Sequence, residues 1–120
     1  MGMALKEDVV KACMDAGTDK PIDLAFLSAQ AMGDANLEME ILSLFAIQLK
    51  DFTLQLRGEM GHEDIRRFTH TLKGAARSVG ANALASLAEH SEREMSLDRA
   101  AFKAEFLRVC NYIGDLQRSR

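Results

Sequence analysis

The sequence predicts an all-α protein, an up-and-down antiparallel four-helix bundle with short extra helices at its N-terminus. Three observations carry that expectation. One proline stands among 120 residues, so helix breakers are scarce. Apolar residues recur every three or four positions over four long stretches, and no stretch alternates with the period of two that a strand needs. Short links marked by glycine or capping residues separate the stretches, which makes successive helices antiparallel neighbours.

Residues 4–16 read as a short helix with Leu5, Val9, Ala12 and Cys13 on one side, broken by Gly17 to Pro21. A second short helix runs from Ile22 to about Met32 and carries Leu24, Phe26 and Leu27. At Gly33-Asp34 the chain stops and restarts. Asp34 is the expected N-cap, and Glu38 and Glu40 in the first turn complement the positive end of the helix dipole. Leu37, Ile41, Leu44, Phe45, Leu49 and Phe52 then repeat at helical spacing to about Arg57, and Gly58 and Gly61 flank the next break. From about Glu63 to Val79 the apolar stripe is Ile65, Phe68, Leu72, Ala75, Ala76 and Val79. Gly80 suits the left-handed position after a helix, and Asn82 the N-cap of the following one. Leu84, Leu87, Ala88 and Met95 mark that helix, ending near Ser96. Phe102, Phe106, Val109, Ile113 and Leu116 mark a last one from about Asp98 to Gln117. The expected organisation is a single domain over 1–120, with the bundle at 34–117 and residues 1–20 as an N-terminal extension or helix.

The apolar fraction of 48% and charged fraction of 28% are globular values and leave no case for disorder as the main state. A net charge of -3 argues against a protein that coats nucleic acid, which needs a basic surplus. Cys13 and Cys110 are far apart and lack C-x-x-C spacing, so they read as reduced thiols. The longest apolar stretch, Ile41 to Ile47, contains Ser43 and is too short to span a membrane. Lys6, Glu7 and Asp8 interrupt any leader-like run. The expected location is the cytoplasm, with no membrane contact. The seven methionines read mostly as core filling.

One face departs from an ordinary bundle. At ~100° per residue the stripe of the 63–79 helix is centred ~190° from His70, which therefore points into water. Around it lie Arg66, Arg67, Lys73, Gly74 and Arg77, with no carboxylate between Arg66 and Gly80. Like charges at this spacing destabilise an isolated helix. Gly74 in a helix interior costs about 1 kcal/mol relative to alanine, and on an exposed face it leaves room for something large to approach the backbone. A neutral imidazole is a good nucleophile near neutral pH, and neighbouring ammonium and guanidinium groups can hold phosphoryl oxygens. The pattern suits phosphoryl handling. It equally describes a solvated basic face with an incidental histidine.

The string from His70 to Ala81, His-Thr-Leu-Lys-Gly-Ala-Ala-Arg-Ser-Val-Gly-Ala, followed by Leu84 and Leu87, resembles the signature of histidine phosphotransfer (HPt) domains. Phe26-Leu27 and the segment Gly33-Asp34…Leu37…Glu40-Ile41-Leu42…Phe45 are also similar to that family. The resemblance implies a phosphoryl carrier in a multistep His–Asp relay, with His70 accepting from a receiver-domain aspartate and passing the group to another receiver. The implied partners are receiver domains of hybrid histidine kinases and response regulators, with no nucleic acid, and the carrier is expected to be a monomer. Lys73 would assist the phosphoryl group, and Gly74 would make space for the receiver. In related domains a Gln or Glu on the next helix orients the histidine ring, and Glu92 falls at that position. A carboxylate accepting the Nδ1–H would leave the Nε2 lone pair to attack. Arg66, Arg67 and Arg77 are assigned to phosphate or partner contact on geometry alone. Ser91 stands where the family commonly has leucine.

The other candidates are weaker. His62 sits at a helix start and His90 beside the stripe of its helix, where it is expected to be exposed. No two histidines have H-x-x-x-H spacing, so no metal site is expected. The chain resembles neither the H-E-x-x-x-P pattern of autophosphorylating kinases nor an ATP-binding domain, so no kinase activity of its own is expected. Magnesium would belong to the receiver, leaving this protein without a cofactor. Two alternatives remain: a helical binding module with a basic docking face and no phosphorylation, and the phosphoacceptor domain of a chemotaxis-type kinase.

Overall fold

In the computed structural model, residues 20–120 are described, and every regular element among them is an α-helix. The helix expected over residues 4–16 and Cys13 lie outside the described residues. The five helices are α1 (Leu24–Gln30), α2 (Ala35–Gln55), α3 (His62–Val79), α4 (Asn82–Glu94) and α5 (Arg99–Ser119). None of them is long and apolar enough to cross a membrane.

Local chemistry sets most of the boundaries. Asp23, Asp34 and Asp98 each stand in extended backbone just before a helix and accept from its free N–H groups. Asp34 Oδ1 takes those of Asn36 (2.9 Å) and Leu37 (3.2 Å). At α3 the reciprocal half of a capping box operates, with the Gly61 N–H donating to Asp64 Oδ2 at 3.1 Å.

The turn between α3 and α4 corrects the expectation for Asn82. Gly80 adopts φ +81°, its N–H bonds to Arg77 O, and the Ala81 N–H bonds to Ala76 O at 2.9 Å. That is a Schellman closure. The Ala81 carbonyl already accepts from the Ala85 N–H, so buried Ala81 is the N-cap and Asn82 the first helical residue. The end of α4 repeats the device without glycine: Met95 takes φ +50°, and the Ser96 N–H bonds to Ser91 O.

The core draws on all five helices. Phe52 of α2 meets Phe68 of α3 edge-on at 5.6 Å, and Phe68 meets Phe102 of α5 edge-on at 5.7 Å. Each such pair adds about 0.5–1.5 kcal/mol beyond its buried area. Helix α3 packs against α2 and α4, and α5 packs against the same two helices. Helix α1 rests on α2 and α3. Ile22 and Leu27 are fully buried there, and the Asp23 N–H donates to Gly80 O at 2.9 Å.

Two expectations about the core are revised. Leu44 points outward at 58% exposure while Leu42 is fully buried. The run Ile41–Ile47 is apolar at nearly every position, so more than one helical stripe can be drawn through it. Among the described residues no methionine belongs to the buried core: Met32 is exposed, while Met39 and Met60 pack against the core from its edge.

Candidate functional site

His70 projects from the middle of α3 with 73% of its side chain exposed. The core-facing side of the helix consists of Phe68, Thr69, Leu72, Ala76 and Val79. Thr69 is fully buried, and its hydroxyl donates back to Ile65 O at 2.7 Å, so the polar group is satisfied without a partner from another helix.

Helix α4 brings in what the local sequence around His70 lacks. Glu92 Oε2 lies 3.2 Å from His70 Nδ1, and Glu92 Oε1 accepts from Lys73 Nζ at 2.7 Å. One carboxylate therefore holds both side chains. Its pKa lies below the ordinary glutamate value, chiefly through the Lys73 hydrogen bond, and partial burial opposes that shift. With Glu92 ionised, Nδ1 carries the proton it donates, and the free Nε2 lone pair faces solvent.

The four cations around His70 are not equivalent. Arg66 pairs with Glu63 on its own helix, Lys73 with Glu92, and Arg77 with Glu89 at 3.2 Å. Arg67 forms no ion pair among the described residues. It lines a groove of about 460 Å3 between the end of α2 and α3, together with Phe52, Gln55, Glu59, Met60, Asp64, Phe68 and Thr71. Two of the four charges are thus answered by α4 and one within α3 itself.

Gly74 is exposed, and a methyl group built on it would meet nothing within 4 Å. No internal contact requires a glycine there. His62 is the exposed first residue of α3. His90 is partly buried on α4, not exposed as its position beside the apolar stripe implied. Ser91 is buried on the same helix.

Periodicity set His70, Lys73 and Gly74 on one outer face, and the family resemblance pointed to Glu92. The joint hold of Glu92 on the ring and on Lys73, and the pairing of Arg77 with Glu89, were not visible, because they join residues on different helices. No curated protein and no solved structure matches the chain. The family model described as the Hpt domain matches residues 40–118, about two thirds of the sequence. That span contains His70 and Glu92 and all of α3, α4 and the turn between them. The chain belongs to the Hpt domain family, whose members carry out histidine phosphotransfer in two-component signalling.

Proposed function

We propose that this protein is a phosphoryl carrier in a multistep His–Asp phosphorelay, with His70 as the phosphorylated residue. The observation that carries the reading is the hydrogen bond of an exposed imidazole to a buttressed carboxylate, His70 Nδ1 to Glu92 Oε2. The Nε2 lone pair attacks the phosphorus of a receiver aspartyl phosphate. The N–P bond forms, the P–O bond to the aspartate breaks, and the carboxylate leaves. No proton needs to move, because Nδ1 keeps its hydrogen. The cationic ring so formed is stabilised by Glu92. Attack by a second receiver's aspartate on the phosphohistidine reverses these bonds.

Lys73 has two parts in this scheme. Its ammonium fixes Glu92, and its charge stabilises the phosphoryl group one helical turn from His70. The partners are receiver domains of hybrid kinases and response regulators. Each supplies its own aspartate and magnesium, so the carrier itself needs neither an ATP site nor a cofactor. The architecture we assign is the up-and-down antiparallel four-helix bundle of α2–α5. Its support lies in the contacts that link each of these helices to two others, and in the residue pairs. His70–Glu92 and Arg77–Glu89 step in opposite directions along α3 and α4, as Ser43–Gln117 and Glu38–Arg120 do along α2 and α5.

The test is label transfer from a phosphorylated receiver domain in the presence of magnesium. Wild type should take up acid-labile phosphate, and His70→Gln should take up none. Equal labelling of His70→Gln would move the site elsewhere. Failure of wild type with every receiver tried would leave the binding-module reading in its place.

A further inference from the structure

Four large apolar side chains of the bundle stay exposed: Leu44, Ile47 and Leu54 on α2, and Leu107 on α5. On α2 they are not scattered. Glu40, Leu44, Ile47, Asp51 and Leu54, all exposed, follow one another at steps of four, three, four and three, the spacing of a coiled-coil seam. At about 100° per residue the five fall within about 80° of one another, on the side of α2 that points away from the buried Leu42, Phe45, Leu49 and Phe52. The Gln117 side chain donates to Ser43 Oγ at 2.8 Å, which sets the register of α5 against α2. Ten residues back from Gln117 is Leu107, and ten forward from Ser43 is Thr53, so Leu107 comes level with Leu54 and widens the patch. Beside the seam, Lys50 and Asp51 form no ion pair among the described residues, and Asp51 accepts from Gln55 Nε2 at 2.9 Å.

From these features we infer that the outer face of α2, flanked by Leu107, binds a second copy of the chain through an antiparallel α2–α2 contact about a two-fold axis at Leu49. The seam complements itself in that arrangement. Leu44 meets Leu54 of the second copy, Ile47 lies opposite Asp51, and the two-fold repeats both contacts. Asp51 comes within one helical turn of Lys50 of the second copy. Two lysines and two aspartates then surround the axis with no net charge. A parallel pairing would set Asp51 against Asp51 and Glu40 against Glu40, like charges drawn out of water. The size of the face suits a reversible dimer. Two helices of 21 residues, about 30 Å long and together about 20 Å wide, offer a footprint of about 600 Å² per copy. A stable interface takes about 800 Å² per partner, which places this one among weaker, micromolar associations. The proposal departs from the expected monomer and does not depend on the phosphorelay reading. His70 and Glu92 stand on α3 and α4, neither of which contributes to the seam, so each copy keeps a complete site.

Sedimentation equilibrium of the full chain, over a concentration series reaching millimolar, tests the pairing. The mass of wild type should climb from the 13.3 kDa of one chain toward twice that value. Leu54→Glu and Asp51→Lys change exposed side chains, so the fold should persist, which circular dichroism checks. Each substitution enters the interface twice and should raise the dissociation constant about tenfold or more. Raising the salt should shrink the Asp51→Lys effect, because it is a repulsion between like charges. The double variant Lys50→Asp, Asp51→Lys exchanges the two charges and should recover most of the affinity that Asp51→Lys alone loses. A wild type that keeps the mass of one chain at the highest concentration would overturn the proposal. So would a dimer indifferent to Leu54→Glu, which would lie on another face. A double variant as weak as Asp51→Lys would overturn the antiparallel pairing on which the proposal stands.

Discussion

The Lys73 ammonium sits 2.7 Å from Oε1 of Glu92, across the contact between α3 and α4, with only 18% of the lysine side chain and 22% of the glutamate exposed. The family signature places the lysine three residues after the histidine, as a neighbour of the phosphoryl group. In the folded chain it is also the group that immobilises the carboxylate facing the imidazole.

Removing that ammonium should show first in the titration of Glu92. Lys73 is the main cause of its lowered pKa, so Lys73→Met should bring the carboxyl back toward the ordinary glutamate value. A carboxyl whose pKa is lower folded than unfolded adds stability above the unfolded value, about 4.3, and loses it as pH falls through the folded value. The stability gap between wild type and Lys73→Met should therefore be full at pH 7 and close in acid below that range. Carbon NMR of the Glu92 carboxyl and urea unfolding at the two pH values check this. A Glu92 titration unmoved by the substitution would remove Lys73 from its control.

Glu92 acts on the reaction through the ring. Glu92→Ala removes the acceptor at Nδ1, frees the imidazole to exchange tautomers and should slow transfer about fivefold, the equivalent of one hydrogen bond of about 1 kcal/mol. Glu92→Gln retains an oxygen acceptor and should recover most of that loss. Nitrogen NMR of the His70 ring reads the tautomer directly. Alanine and glutamine variants with the same ring spectrum as wild type would show that the carboxylate does not position the histidine.

Gly74 inside α3 and Gly80 just past its end should respond to alanine with opposite signs. Gly74 is helical and open, so Gly74→Ala should stabilise the fold by about 0.5–1 kcal/mol through helix propensity. Gly80 has φ +81°, and a Cβ there would come within 3.0 Å of Asp23 O and 3.1 Å of the Phe26 ring. Gly80→Ala should cost about 1–3 kcal/mol. Urea unfolding of both variants, with receiver labelling of Gly74→Ala, separates a glycine kept for a partner from one kept for a turn.

Much of this was legible because the signals were local. Asp34 and the apolar stripe of α3 act within one or two helical turns, and the left-handed Gly80 within the turn that it closes. Leu44 was misplaced because the chain around it is apolar on every side, so periodicity had no polar face to work against. Asn82 looked like a cap by residue type, yet the closure of the preceding helix had already used Ala81. Met95 shows the same limit from the other direction: its left-handed backbone is a role that residue type assigns to glycine. The site divides along the same line. His70 and Gly74 stand out as an exposed cationic face interrupted by a missing side chain. The neutralising carboxylates are 19 residues from Lys73 and 12 from Arg77, a separation that only the packing of α4 on α3 closes.

The bond from the Asp23 N–H to Gly80 O bears on where this unit can be cut. The span matched by the family model begins at residue 40, inside α2. A fragment trimmed to that span would lose Ile22 and Leu27, both fully buried, along with the first turn of α2 and its Asp34 cap. The turn that carries the chain from the histidine helix to the helix of Glu92 would then be open to water on one side. The packed unit is longer than the span that the family model matches.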